Sequence, residues 1–265
     1  MNDDALLTVG QYLNGLLAYW WPFCRIMAVF AFAPLFNNKA IPLRVRVVLA
    51  LAITVVLSSA LPTPPTIDPL SALGLLTAFE QIAMGLLLGV SLALVFTVFT
   101  LVGDIVSTQL GLSMAVYNDP VNGVSSSSII YQLYFILLVF LFLAVDGHLV
   151  TISILYQSFV YWPIGSGVHW DGLQTLVQAL AWVISAALLI ALPMVFCMTL
   201  VQFCFGLLNR ISPAMNLFSL GFPMAILAGL VLILVTLPNL SEGYLHLTRE
   251  LLGNIGRMLT EGRRV

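Results

Sequence analysis

Charge is what this chain of 265 residues has least of. Asp, Glu, Lys and Arg together make up 8 % of it and hydrophobic residues 61 %, against ~25 % and ~45–50 % in soluble globular proteins. Even a large core does not demand so little charge, so the chain reads as a membrane-class protein. Lysine is nearly absent: Lys39 stands alone, which argues against Schiff-base chemistry. Between Arg46 and Arg210 there is neither Lys nor Arg, and the formal net charge is −2. No basic stripe exists to hold nucleic acid. The start, MNDD, lacks the positive region of a secretory signal, and Arg25 interrupts the first apolar run, so no cleavage is expected. Cysteine is scarce too. Cys24, Cys197 and Cys204 form no C-x-x-C pair. The last two fall seven apart on one expected helix, ~10.5 Å along its axis, too far for a disulfide. They read as small packing hydrophobes.

What is present is a succession of apolar runs. Residues 16–36 are the first candidate span, with Tyr19, Trp20 and Trp21 as an interfacial belt and Arg25 at a depth where charge is costly. Arg25 must therefore face protein or water; Glu80 and Asp104 are candidate partners, because buried charges are paired or bonded. Residues 37–46, NNKAIPLRVR, form a basic hinge that Ile41-Pro42 closes, and Lys39, Arg44 and Arg46 place it on the cytoplasmic side. A second span over 47–61 precedes the proline-rich connector 62–69. Residues 70–102 are broken only by Glu80, Gln81 and glycines, and Gly85 and Gly89 form a small-xxx-small pattern that permits close helix contact. Residues 129–145 are the cleanest span and stop at Asp146-Gly147-His148. The aromatic stretch 149–172 is broken at Pro163, Gly165 and Gly167. The run 173–209 is kinked by Pro193, and 214–238 is interrupted at Gly221-Phe222-Pro223. The segment 239–265, with four Arg and spaced leucines, reads as an amphipathic basic surface helix.

One passage stands apart. Asp104–Ser128, DIVSTQLGLSMAVYNDPVNGVSSSS, is weakly apolar and carries Gly111, Gly123 and Asp119-Pro120. It reads as a helix end, a loop, and a Ser-rich re-entry into the next run. Its Met114, Val116 and Tyr117 make it too apolar for a disordered linker, and a loop of this length is usually functional.

Six spans counted from a cytoplasmic Lys39–Arg46 loop put the four-Arg segment on the far side, against the positive-inside tendency. Either a span is miscounted or some apolar runs are buried by other subunits rather than by lipid.

Two chemical readings are weak. Gly111-Leu112-Ser113-Met114 resembles the glycine-x-serine of intramembrane serine proteases, with His148 on a later segment; a nucleophile needs its base within reach and an oxyanion hole. The competing reading makes Gly111 and Ser113 turn residues. Asp146, His148, His169 and Asp171 are metal-capable types without metal-ligand spacing. Arg210 follows a long helix, where the helix dipole favours a cation. A secondary transporter with broken helices and midplane charges is a further alternative.

Four segments share a resemblance. Phe36-Asn37-Asn38-Lys39-Ala40-Ile41-Pro42-Leu43-Arg44-Val45-Arg46 resembles the F-x-x-x-x-I-P-x-R-x-R segment of the flagellar export-gate R subunits, the FliR/SctT family. Gln109-Leu110-Gly111-Leu112-Ser113 followed by Asp119-Pro120 resembles its Q-x-G-L-S…D-P loop. Phe142–His148 resembles its F-L-x-x-x-G-H segment. Arg210-Ile211-Ser212-Pro213-Ala214-Met215-Asn216-Leu217-Phe218, followed by Gly221-Phe222-Pro223, resembles its R-x-x-P-Q-x-N-x-F…G-F-P signature, with Ala214 where Gln is common. The G-F-P form is nearer the flagellar than the virulence branch.

The resemblance implies an all-α, multi-helix subunit with broken helices. It implies packing inside a helical hetero-oligomeric gate of the bacterial inner membrane and flagellar basal body, with much of the chain above the membrane plane. It implies a single non-enzymatic export-gate subunit over 1–265, without cofactor. Implied partners are the P and Q subunits, the B-type switch subunit, the A-type export subunit and unfolded export substrates. A plug over 107–128 would close the resting channel, carried by Gln109, Gly111, Leu112, Ser113, Met114, Val116, Tyr117, Asp119 and Pro120. Subunit packing would fall to Arg25, Pro42, Arg44, Arg46, Glu80, Asp146, Gly147, His148, Arg210, Pro213, Asn216, Phe218, Gly221, Phe222 and Pro223.

Overall fold

The computed structural model describes residues 17, 19–37, 41–61, 67–69, 71–112, 128–167, 170–211 and 217–261. Among them every regular element is a helix. In chain order they are α1 (Trp20–Phe32), α2 (Leu43–Ser58), α3 (Ala72–Gln109), α4 (Ile129–Ala144), α5 (Gly147–Tyr161), α6 (Trp170–Ile211) and α7 (Leu217–Glu261).

Local chemistry sets several of the boundaries. Pro42 sits extended at the N-cap of α2, so Ile41-Pro42 does restart the helix. Ser71 caps α3, its Oγ accepting the Gly74 N–H at 2.9 Å. Between α4 and α5 the chain breaks at Val145-Asp146, and Asp146 takes the left-handed conformation with φ 55° and ψ 33°. Asp is among the few residues with a side chain that enter this region readily. The sequence placed the stop at Asp146-Gly147-His148, where glycine is the usual left-handed residue. Instead Gly147 is the buried first residue of α5, and its carbonyl accepts the Thr151 hydroxyl at 2.9 Å.

The prolines do not break the C-terminal helices. α6 runs through Pro193, and α7 runs through both Pro223 and Pro238. Gly221-Phe222-Pro223 is therefore inside a helix, and 239–261 continues that helix. A proline forfeits one backbone hydrogen bond, and in apolar surroundings the freed carbonyl is accommodated by local adjustment. The six expected spans reduce accordingly. Among the described residues three helices are long and apolar enough to cross a membrane: Ala72–Gln109, Leu176–Leu208 and Gly221–Leu259. The broken pair α4–α5 makes a fourth if it counts as one span. α1, with 13 residues, is only ~20 Å long, short of the ~30 Å hydrocarbon thickness.

The chain divides into two compact units. The first comprises 1–93, 146–179 and 251–265; the second comprises 94–145 and 180–250. In the first, α1 packs on α2, and Trp21, Ile26, Val29 and Phe30 are buried with Met84, Leu88, Leu155 and Phe159. Trp21 is thus a core residue rather than part of an interfacial belt. Gly85 and Gly89 face α1. A Cβ on Gly85 would collide with the Arg25 carbonyl oxygen and lie 2.7 Å from Ala28 Cβ; one on Gly89 would lie 2.8 Å from the Val29 oxygen. The small-xxx-small pattern does bring two backbones together. In the second unit Phe96 is an aromatic hub, with ring centroids 6.1, 6.0 and 6.3 Å from Phe135, Phe142 and Tyr244 in edge-on geometry.

Candidate functional site at the roots of the central segment

The weakly apolar passage begins later than its composition implies. Asp104–Gln109 is still helical, as the end of α3. What stops the helix is a six-residue closing turn. Leu112 N–H bonds to the Ser107 oxygen at 3.0 Å, and Gly111 N–H bonds to the Thr108 oxygen at 3.0 Å. Gly111 has φ +72°. This is a Schellman motif with Gly111 at its left-handed position, satisfying two of the orphan carbonyls of a helix end. Gly111 is indeed a turn residue.

Residues from α6 and α7, all in the second unit, grip this turn. Gln202 Nε2 of α6 donates to the Gln109 oxygen at 2.8 Å, filling a carbonyl that the Schellman bonds leave open. Leu110 is buried and lies directly on Gly229 of α7, where a Cβ would overlap its Cδ2 and approach its Cγ to 3.0 Å. Phe222 covers Gly111, with ring Cε2 2.9 Å from where a Cβ would sit. Phe222 and Gly229 are seven apart, two helical turns, so they share one face of α7.

The other root is Ser128. Its Oγ accepts the Tyr131 N–H at 3.1 Å, an N-cap for α4, and donates to Asp104 Oδ1 at 2.9 Å. Beside it, the backbone of α4 meets α3 at Gly103, where a Cβ would lie 3.0 Å from Tyr131 Cα. The two ends of the passage are therefore joined at their base through α3 and α4. Ser113, Met114, Val116, Tyr117, Asp119 and Pro120 lie outside the described residues, as do Gly123, Pro213 and Asn216.

A second polar constellation lies within the first unit. Arg25 is fully buried. Its Nε donates to Gln81 Oε1 at 2.9 Å, Nη1 to the Ser158 oxygen at 2.9 Å and to Ser158 Oγ at 3.3 Å, and Nη2 to the Trp162 oxygen at 3.0 Å. Its Cζ lies 4.2 Å from the Phe159 ring centroid, within cation–π range. The expected pairing with Glu80 or Asp104 is replaced by neutral acceptors. The carbonyls at the end of α5 are turned toward the guanidinium, and Gln81 relays to Glu80, its Nε2 donating to Glu80 Oε1 at 3.3 Å. Glu80 Oε1 also accepts the Gly165 N–H at 3.2 Å. Asp104 is engaged by Ser128 instead.

The remaining predicted residues are scattered. Pro42 and Arg44 are exposed at the start of α2, and Arg46 is half-buried. Asp146 is exposed, and His148 is half-buried with its Nδ1 buried and unbonded. Arg210 lies in the last turn of α6, as its position after a long helix implied. Phe218, Gly221 and Pro223 lie within α7. Cys24, Cys197 and Cys204 are free thiols, and Cys197 and Cys204 do share α6. Gln81, Ser128, Gln202 and Gly229 escaped sequence reasoning. Of these only Ser128 carried a local signal, a Ser immediately before an apolar helical run.

Helices of this length and apolarity, with polar side chains spent on helix ends and on one buried cation, define an all-α membrane protein in which two helix ends frame the central segment. Residues 16–251 match the family described as bacterial export proteins, family 1. The chain is 32 % identical over 250 residues to the flagellar biosynthetic protein FliR of Pectobacterium carotovorum subsp. carotovorum, covering 94 % of this chain and 95 % of that one. It is 29 % identical to FliR of Escherichia coli K12, covering 96 % and 97 %. It is 26 % identical to the surface presentation of antigens protein SpaR of Shigella flexneri, covering 84 % of each. The chain belongs to this bacterial export family, the FliR/SctT family of its sequence resemblance.

Proposed function

We propose that the chain is a structural and gating subunit of the flagellar protein export channel of the bacterial inner membrane. Relatedness to flagellar biosynthetic proteins over 94 % of its length carries this reading. In it, the chain packs with P- and Q-type subunits in the basal body, contacts the B-type switch and A-type export subunits, and passes unfolded flagellar proteins. It acts as one subunit without catalysis or cofactor.

The helix lengths support burial by partners. α6 and α7, with 42 and 45 residues, are ~63 and ~68 Å long, about twice the ~30 Å hydrocarbon thickness. On α6 large apolar side chains are exposed from Val177 to Ile211, ~51 Å of axis. A bilayer covers little more than half of that, so protein must cover the rest. Much of the chain then stands above the membrane plane, which also removes the conflict with the positive-inside tendency. The transporter alternative loses two of its breaks, because Pro193 and Pro223 lie in continuous helices, and keeps the bent pair α4–α5 as the kind of discontinuity such sites use.

Within this channel the 107–128 segment seals the lumen at rest. Met114, Val116 and Tyr117 offer adaptable apolar surface, and apolar constrictions gate by dewetting. The direct test is purification from cells. The chain should co-purify with other small membrane subunits and be unstable alone; a well-behaved monomer active by itself in liposomes overturns the proposal. Shortening 112–122 should raise resting ion leakage while assembly continues.

A further inference from the structure

The closing turn of α3 is held in two unlike ways. Leu110 is buried on Gly229, an anchor that cannot open without disturbing the core. Gln202 and Phe222 are different. Gln202 is exposed, and Phe222 retains 53 % of its surface. Each spends its inward contact on backbone: Gln202 on the Gln109 carbonyl at 2.8 Å, Phe222 on the bare backbone of Gly111. Exposed side chains change rotamer in picoseconds to nanoseconds, so both contacts can break while Leu110 stays seated.

We infer that Gln202 and Phe222 form a releasable latch on the Schellman turn at Leu110–Leu112, and so set the direction in which the chain leaves α3. They are positioning residues. With the latch closed, Gly111 stays at φ +72° and the Ser107 and Thr108 carbonyls keep their bonds to Leu112 and Gly111. With it open, glycine at this position has left-handed and right-handed states of similar energy, so the turn frays or the helix extends. The location fits a device of this kind: Gly111 is the one described position in α3 and its closing turn with positive φ.

The consequence for sealing rests on the proposed role of 107–128, but the latch itself does not. The test uses the assembled native complex with Gln202→Met and Phe222→Leu, singly and together. Met matches the length of Gln202 without its amide donor, and Leu keeps position 222 apolar with a smaller side chain; co-purification with partner subunits checks that each variant still assembles. Amide hydrogen exchange is followed by mass spectrometry in peptides ending before and after residue 107. In the double variant the Gly111 and Leu112 amides should exchange about fivefold faster or more, the factor expected for losing one typical hydrogen bond. Amides 102–106 should not change. Unchanged exchange at 111–112, or equal acceleration along 102–112, overturns the latch. Gly229→Ala, which displaces the anchor, should by contrast accelerate 102–112 together. Resting ion leakage is measured in the same strains. Faster exchange with raised leakage supports both the latch and the sealing role. Faster exchange with wild-type leakage keeps the latch and overturns the sealing role.

Discussion

Arg25 Nε donates to Gln81 Oε1 at 2.9 Å, so a buried cation is held by a neutral amide while the Glu80 carboxylate stands one relay further out. The guanidinium stitches α1, α3 and the end of α5, using a geometry of donors that a lysine cannot reproduce. Arg25→Ala should destabilise the purified complex by about 3 kcal/mol, through unpaired carbonyls and lost packing. Arg25→Lys should recover only part of this. Thermal melting in detergent reads the order wild type, Lys, Ala; a Lys variant equal to wild type contradicts the role of the fork.

Gly85 and Gly89 leave no room for side chains where α3 meets α1. Gly85→Ala should cost about 1–3 kcal/mol by overpacking, since the obstacle is the backbone oxygen of Arg25 rather than a movable side-chain tip. Gly253, with open space around its Cβ position, is the control: Gly253→Ala should be neutral or slightly stabilising, as Ala favours helix by about 1 kcal/mol. The melting temperature should fall in the Gly85 variant and hold or rise slightly in the Gly253 variant.

Ser128 ties two elements with one hydroxyl. Ser128→Ala should lose about 1 kcal/mol as an N-cap and speed exchange of the Tyr131 amide. Asp104→Ala removes the partner but leaves the cap, so its effect should be smaller and Tyr131 should remain protected. Exchange rates at Tyr131 distinguish the two variants.

Asp146 occupies the left-handed region with φ 55°, a conformation costing residues with a Cβ roughly 1–2 kcal/mol. Asp146→Gly should therefore stabilise the complex by up to about 1 kcal/mol. Asp146→Val, β-branched, should destabilise it by more than that. A chemical denaturation midpoint that falls in the Gly variant contradicts the strain account.

Much of the fold was legible because membrane-class helices are written as apolar runs, and the starts at Pro42 and Ile129 were fixed by local chemistry. The interruption at Gly221-Phe222-Pro223 was misread because a soluble-protein rule was applied to an apolar setting: at Pro223 one missing hydrogen bond does not outweigh a long apolar helix. The partner of Arg25 was misread because a charge invites a search for an opposite charge, whereas helix-end carbonyls and Gln81 carry no such mark in the sequence. Gly111 was legible as a turn. Its holders, Gln202 and Phe222, were not legible as such, because contacts across 93 and 111 positions leave no periodic trace in one chain.

The joining of Asp104 to Ser128, with Gly103 against Tyr131, has a bearing on how such chains diversify. A stretch whose ends are tied at the base can be exchanged like a cassette. Loop length enters closure entropy only logarithmically, so insertions and substitutions between the ties are cheap while changes at the ties are not. Relatives of this chain are then expected to tolerate changes of length more readily between residues 121 and 127, past the Asp119-Pro120 pair of the shared pattern, than at the small residues and the hydroxyl of the base, Gly103 and Ser128.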